Sequence, residues 1–253
     1  TCIPWDTFCC PLLRCVYLVK IETQNMQKTR PLGGYERLFH WVITNKDSFV
    51  TVQISRFNLT GGEWQQANTR SVEDVVKKAV ELWQSRFEIL HSGISKDEWF
   101  VTVDLEVAKR LMHDQHLRCV DKSQDQRVDL FRVYADEFVS LGAKQFASVA
   151  DLECGLLWNM VLLYDSRDQS ADNEIVLSMH HAVADGLSLT VMLNDLFGLI
   201  DSVIQEQPVA DLYHPLAPRV EDLLPKYVPS SSPQPVSVPP LGYPKFSDEL
   251  AVL

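Results

Sequence analysis

The 253-residue chain is poor in positive charge: 23 Lys and Arg face 34 Asp and Glu, for a formal net charge of −11 and a pI near 5.0. No basic stripe gathers the few cations, which argues against a nucleic-acid partner, because gripping phosphates requires clustered Lys and Arg. A long hydrophobic run is also missing. The stretch 11–21 is broken by Arg14 and Lys20 and falls well short of the roughly 20 apolar residues that cross a bilayer, so no membrane span is expected. No small-residue cleavage site follows it, and Met26 reads as a candidate start. Residues 1–29 are therefore expected to be an N-terminal extension ahead of a domain that begins near Arg30. Glycine is scarce, with ten residues, and none builds a phosphate-cradling loop, so nucleotide chemistry is unsupported. The six cysteines, Cys2, Cys9, Cys10, Cys15, Cys119 and Cys154, lack the paired spacing of a metal site and read as reduced thiols of a cytoplasmic protein. A Gly-x-Ser-x-Gly elbow and an evident Cys/His pair are both missing, which removes the usual activated nucleophiles. No repeat or heptad is present.

What remains is an ordinary globular composition, 46% apolar and 23% charged, long enough for one large or two small domains. Alternating Val50, Val52 and Ile54 predict a half-buried strand over 49–55, followed by a turn at Gly61-Gly62. Val72, Val75, Val76, Ala79, Val80, Trp83 and Phe87 recur at three- and four-residue spacing, which predicts a helix with one continuous apolar stripe. A short strand is expected over 99–104, a helix over 104–117 with Ala108, Leu111 and Met112 inward, and another amphipathic helix over 134–146. The run 156–165 is apolar nearly throughout, as in a strand covered on both faces. A short polar loop separates it from a strand over 174–181, so the two should form a hairpin. Residues 187–204 are apolar almost all round, which predicts a buried helix. Ten of the thirteen prolines lie from Pro208 to Pro244, and residues 208–253 are expected to form an extended proline-rich linker. The pattern as a whole predicts an α/β fold, a two-layer sandwich of a mixed sheet packed by helices.

Chemistry concentrates in Ser178-Met179-His180-His181-Ala182-Val183-Ala184-Asp185-Gly186, at a strand-to-helix corner. Because side chains alternate across a strand, His180 and His181 point to opposite faces and cannot share one task. A neutral imidazole at a cleft takes a proton from a hydroxyl or amine near pH 7. Asp185 either pairs with a nearby arginine or caps the following helix, and Gly186 permits a close backbone approach or a positive φ. His113 and His116, with Asp114, have a metal-compatible spacing but no third strong ligand nearby, and read as a solvated face. Trp99 and Trp158 read as core.

The set His180, His181, Asp185, Gly186 matches the His-His-x-x-x-Asp-Gly motif and resembles the acyltransferases related to chloramphenicol acetyltransferase, a group that includes nonribosomal-peptide condensation domains and polyketide-associated and alcohol acyltransferases. Arg30-Pro31-Leu32-Gly33-Gly34-Tyr35-Glu36-Arg37 is similar to the opening segment of the polyketide-associated branch. Arg86-Phe87-Glu88-Ile89-Leu90-His91 is similar to the end of the family's first long helix, with His91 where condensation domains carry a second arginine. The likeness covers about residues 30–204. It implies one lobe of the chloramphenicol acetyltransferase-like fold over residues 30–207, and an acyltransferase that moves an acyl group from coenzyme A or a carrier-protein pantetheine thioester to a small-molecule alcohol or amine. No cofactor would be permanently bound, the thioester being a co-substrate. By the resemblance His181 is the general base and Asp185 holds the loop through an arginine, with Arg86 the candidate. His180 is then structural, and Gly186 leaves room for the donor's thioester arm. Such a site lies between two lobes. The Asp-Phe-Gly-Trp-Gly sequence of the second lobe is not found, since Asp195-Leu196-Phe197-Gly198 falls inside the helix after the motif. A single lobe would therefore be completed by a second lobe or by self-association, or would act as a catalytically silent binding or assembly module, or be an incomplete gene product.

Overall fold

A computed structural model describes residues 26–46, 50–59, 71–124, 156–168 and 170–223. The turn expected at Gly61-Gly62, the helix expected over 134–146, every cysteine but Cys119 and the prolines beyond residue 223 lie outside them. The chain runs through β1 (Met26–Pro31), α1 (Gly34–Lys46), β2 (Val50–Phe57), α2 (Val72–Arg86), a 3-10 turn (Glu88–His91), β3 (Ser92–Ile94), β4 (Trp99–Val103), α3 (Leu105–Leu111), a π-helical turn (Met112–His116), β5 (Leu117–Asp121), β6 (Trp158–Tyr164), β7 (Asn173–His180), α4 (Gly186–Ile204) and the short α5 (Val220–Leu223). β1 pairs with β4 from Met26 onward, so residues 26–29 of the expected extension are part of a sheet.

Two sheets form. One is antiparallel, in the order β1-β4-β3; the other is mixed, in the order β2-β7-β6-β5, with only β5 and β6 parallel. β6 and β7 form the expected hairpin, Trp158 standing opposite Met179. Helices cover the mixed sheet, and the fold is α/β.

The local reasons are legible. Ser71 begins α2 with a capping box, its Oγ accepting from the Asp74 N–H at 3.1 Å while Asp74 accepts from the Ser71 N–H. Six residues of the predicted stripe, Val72, Val75, Val76, Ala79, Val80 and Trp83, are buried. Asp104 caps α3. The Trp83 indole N–H donates to the Met192 carbonyl at 3.0 Å, joining α2 to α4, and its ring meets Trp158 edge-on at 5.9 Å.

Two expectations need correction. α4 is not buried all round: Leu189, Met192, Leu193, Leu196, Leu199, Ile200 and Val203 form the core stripe, but Leu187 and Val191 are 75% and 57% exposed. Apolar composition alone cannot orient a helix when both faces are apolar. The helix is long and apolar enough to cross a membrane, yet its stripe sits in the main core with α2 and β6. His116 is not on a solvated face either. The π-helical turn swings it inward, where Nδ1 donates to the Trp158 carbonyl at 2.8 Å and Nε2 accepts from the Leu156 N–H at 3.3 Å. Its neighbour His113 stays outside, 3.0 Å from Glu81. Among the described residues no group of three or more His, Cys, Asp or Glu is arranged to hold a metal.

Residues 208–223, the described part of the expected linker, are strapped to the lobe. His214 bridges Phe87 in parallel, its N–H donating to the Arg86 carbonyl and its carbonyl accepting from the Glu88 N–H. The Glu88 carboxylate accepts from the Tyr213 hydroxyl and the Leu216 N–H, while Arg30 Nε donates to the Ala217 carbonyl. At the far end Glu221 accepts from the Gly34 N–H at 2.6 Å. A Cβ at Gly33 would lie 2.4 Å from Glu221 Oε2, so a larger residue here would push the Glu221 side chain aside. Because the clash is with the end of an exposed side chain, Gly33→Ala is expected to cost under about 1 kcal/mol while releasing Glu221. Faster limited proteolysis within residues 207–223, with an almost unchanged melting temperature, is the predicted result.

Candidate active site

The motif stands where β7 leaves the mixed sheet. Along β7, Ile175, Leu177 and Met179 enter the main core while Val176 packs on the opposite face with Val161 and Leu163. His180 is the last strand residue, paired with Val50 and wholly buried. Its Nδ1 accepts the Ala182 N–H at 3.1 Å, so the neutral ring carries its hydrogen on Nε2. Burial, followed by the neighbouring rings of His40 and His181, pushes the imidazole down to about 3. It is a neutral structural group that pins the turn.

His181 is released from the strand register, because residues 181–183 form a turn in which the Val183 N–H donates to the His180 carbonyl. The turn carries its ring to a partly exposed position at the mouth of the corner. The two histidines differ in burial, but the strand ends at His180, so the turn and not strand alternation places the second one. Thr51 on β2 donates to the Ala184 carbonyl at 3.0 Å and fixes the loop from the other side.

Asp185 caps α4. Its carboxylate accepts the Ser188 N–H at 2.7 Å, and hydrogen bonds from Ser188 hold it below the usual carboxylate range. Arg86 is not its partner. The guanidinium donates instead to Asp195 at 2.5 Å, with a further bond to the Ala210 carbonyl, and so ties α2 to the third turn of α4 and to the strap. The expectation that Arg86 holds Asp185 is therefore corrected: Asp185 stands at the N-cap, and Asp195 is nearly three turns further along. Gly186 has no positive φ, and a Cβ there would meet nothing within 4 Å, so the space beside it is open.

These assignments separate in a stability measurement. Arg86→Ala leaves Asp195 partly buried without its cation and is expected to cost about 2 kcal/mol, whereas Asp185→Ala removes a cap worth about 1 kcal/mol. In double-mutant cycles Arg86 should couple to Asp195 and not to Asp185.

The sequence reading missed two residues that complete the corner, Phe39 and His40 on α1. The Phe39 ring stacks on His181 with centroids 4.1 Å apart and planes 6° from parallel, and the buried His40 ring lies 5.7 Å from that of His180. Burial depresses His40, partly offset by the charge of Glu98. α1 is held in place by the opening segment: Arg30 grips Glu36 bidentately at 2.7 and 2.8 Å, Glu36 accepts the Gly33 N–H, and Arg37 pairs with Glu98 at 3.0 Å. His91, in the place of a second arginine, is buried with Nδ1 3.0 Å from the Val103 carbonyl and is structural.

The chain is similar in fold to the first condensation domain of the calcium-dependent antibiotic synthetase. With substrate analogue 2a bound to that domain the match has 14% identity and a TM-score of 0.50 over 72% of this chain and 40% of that one; with analogue 3a the values are 13%, 0.50, 73% and 43%. It is also similar to polyketide synthase associated protein 5 from Mycobacterium tuberculosis, at 18% identity and a TM-score of 0.43 over 75% and 37% of the two chains. No family model matches the sequence, and no curated protein matches it. At such identities the likeness is one of fold: the chain has the architecture of part of a condensation domain, and spans about two fifths of the length of those solved structures.

Proposed function

We propose that this chain supplies the base-bearing lobe of an acyltransferase, moving an acyl group from a coenzyme A or carrier-protein pantetheine thioester to an alcohol or amine. The observation that carries the reading is the placement of His181: partly exposed at the end of β7, stacked on one face, and flanked by a histidine held neutral. In the proposed step His181 accepts the proton from the acceptor O–H or N–H as the oxygen or nitrogen attacks the thioester carbonyl. The tetrahedral adduct then expels the thiolate, which takes the proton back from the imidazolium. No acyl-enzyme forms. Asp185 sets the start of α4, and the open space beside Gly186 suits the thioester arm. The reading places the protein in the cytoplasm, with its thiols reduced. The test is to supply acyl-CoA or acyl-pantetheine with alcohol or amine acceptors and follow thiol release together with acylated acceptor; release that needs no acceptor, or no release with any pair, would refute it.

A second reading, a catalytically silent lobe that binds or assembles, is favoured by a different observation. Tyr35, Leu38 and Trp41 on the helix carrying Phe39, and Leu187 and Val191 on α4, are all more than half exposed. Such apolar surface beside a site marks a place where something else docks. Under the first reading it is covered by a second lobe or a second copy that completes the site. Sedimentation of the purified chain with and without donor thioester separates the two: association without thioester binding favours the silent module.

A further inference from the structure

We propose that Phe39 is the positioning residue for the His181 imidazole, and that α1 is thereby part of the active site. The match between the two elements is two by two: consecutive residues Phe39 and His40 on α1 meet consecutive residues His181 and His180 at the end of β7. The Phe39 contact is the closer and flatter one, 4.1 Å between centroids and 6° between planes. An imidazole in a turn has a free torsion about its Cβ–Cγ bond, and its orientation is broad unless a neighbour fixes it. A parallel aromatic face fixes the plane. With one face covered and Nδ1 buried, the Nε2 edge is the side left for an acceptor to approach.

Phe39 is itself anchored. It packs, partly buried, against the cluster of Leu32, Ile43, Ile94, Phe100, Leu157 and Ala182, which includes two residues of the antiparallel sheet and the residue next to His181. The backbone under it is fixed by the Arg30–Glu36 pair and the Arg37–Glu98 pair. The aromatic plane is therefore preorganised by the Arg-Pro-Leu-Gly-Gly-Tyr-Glu-Arg segment, which gives that segment a role in the chemistry although none of its residues touches His181 in the way Phe39 does. A displacement of about 1 Å of a reacting group costs on the order of 10² in rate, which is the scale on which loss of the plane should be felt.

The catalytic part of this inference rests on His181 being the base, so its test has a readout that needs no turnover. The ring protons of His181, assigned in the full chain by their disappearance in His181→Ala, should resonate upfield because they lie over the Phe39 face. In Phe39→Leu, which keeps an apolar side chain in the cluster, they should move downfield, and in Phe39→Tyr they should stay. In acyl transfer, Phe39→Leu should lower kcat about 10²-fold with little change in KM, and Phe39→Tyr should restore most of it, a distinction that mere filling of space does not make. If the His181 resonances are the same in wild type and Phe39→Leu, the proposal is overturned. It is overturned equally if Leu and Tyr support the same kcat. If the wild-type chain transfers no acyl group while the resonances shift as described, the positioning stands and the acyltransferase reading fails.

Discussion

His181→Ala is expected to lower acyl transfer by about 10²- to 10⁴-fold, the range for loss of a positioned general base, with KM for donor and acceptor nearly unchanged. An interaction made only as the proton moves contributes to kcat and not to ground-state binding. The substitution should leave the fold intact, because His181 lies in a turn and is only partly buried. The contrast is His180→Ala. His180 is fully enclosed and accepts the Ala182 N–H; its loss opens a buried space and orphans a backbone donor, and the effect should fall first on stability, by about 2–5 kcal/mol. Adjacent residues of the same type should thus give opposite phenotypes, one in rate with normal melting and the other in melting.

The second large effect is acid sensitivity. His180 and His116 are held neutral by burial, with proton affinities lowered to about 3 and about 4, and His40 is lowered in the same direction. In the unfolded chain each binds a proton near pH 6.5. As pH falls below 6.5 the unfolded state takes up protons that the folded state refuses, so stability declines with falling pH until the folded-state values are reached. At about 1.4 kcal/mol per tenfold change in proton affinity, the two rings together withdraw several kcal/mol, a large share of the 5–15 kcal/mol that holds a typical domain. Carboxylates such as Glu73 and Glu88, held low by hydrogen bonds, add to the loss as pH approaches and passes below about 4.5. From about 6.5 down to about 5.5 the histidines dominate. Denaturant midpoints measured across that window should drop steeply in the wild type and less steeply in His116→Gln, whose amide keeps a hydrogen-bonding group without the titration. A flat profile from pH 7 to 5 would contradict the assignment of buried neutral rings.

Much of this architecture was readable before the fold was known, for physical reasons. The stripe from Val72 to Trp83 has a single helical period, and a single period has one solution. Residues 158–164 and 173–180 are strands buried on both faces, and a short polar loop between two such runs leaves a hairpin as the economical arrangement. The special corner was legible because His180, His181, Asp185 and Gly186 sit together in sequence. Asp185 as a cap was one of two readings that composition left open, and only geometry closes it: an arginine's partner is chosen in space, and Asp195 on α4 stands nearer to Arg86 than a residue at the helix start. His116 misled because three-residue spacing on a helix says which residues share a face, not that the helix changes to a π-helical turn. Phe39 and His40 were invisible because stacking between α1 and the β7 corner is a long-range contact, and no local pattern encodes it. The strap was hidden likewise, since proline-rich segments that hug a lobe and those that leave it have the same composition.

The central claim, that His181 takes the acceptor's proton for direct attack on the thioester, is tested most directly by a single-turnover reaction of the full chain with an acyl-CoA and an alcohol acceptor, read by intact-mass spectrometry and thiol release together. The account predicts thiol and acylated acceptor appearing in equal amounts, no acyl mass on the protein at any time, and near-loss of both products in His181→Ala. An acyl adduct on the chain, or equal product formation with and without His181, would contradict it.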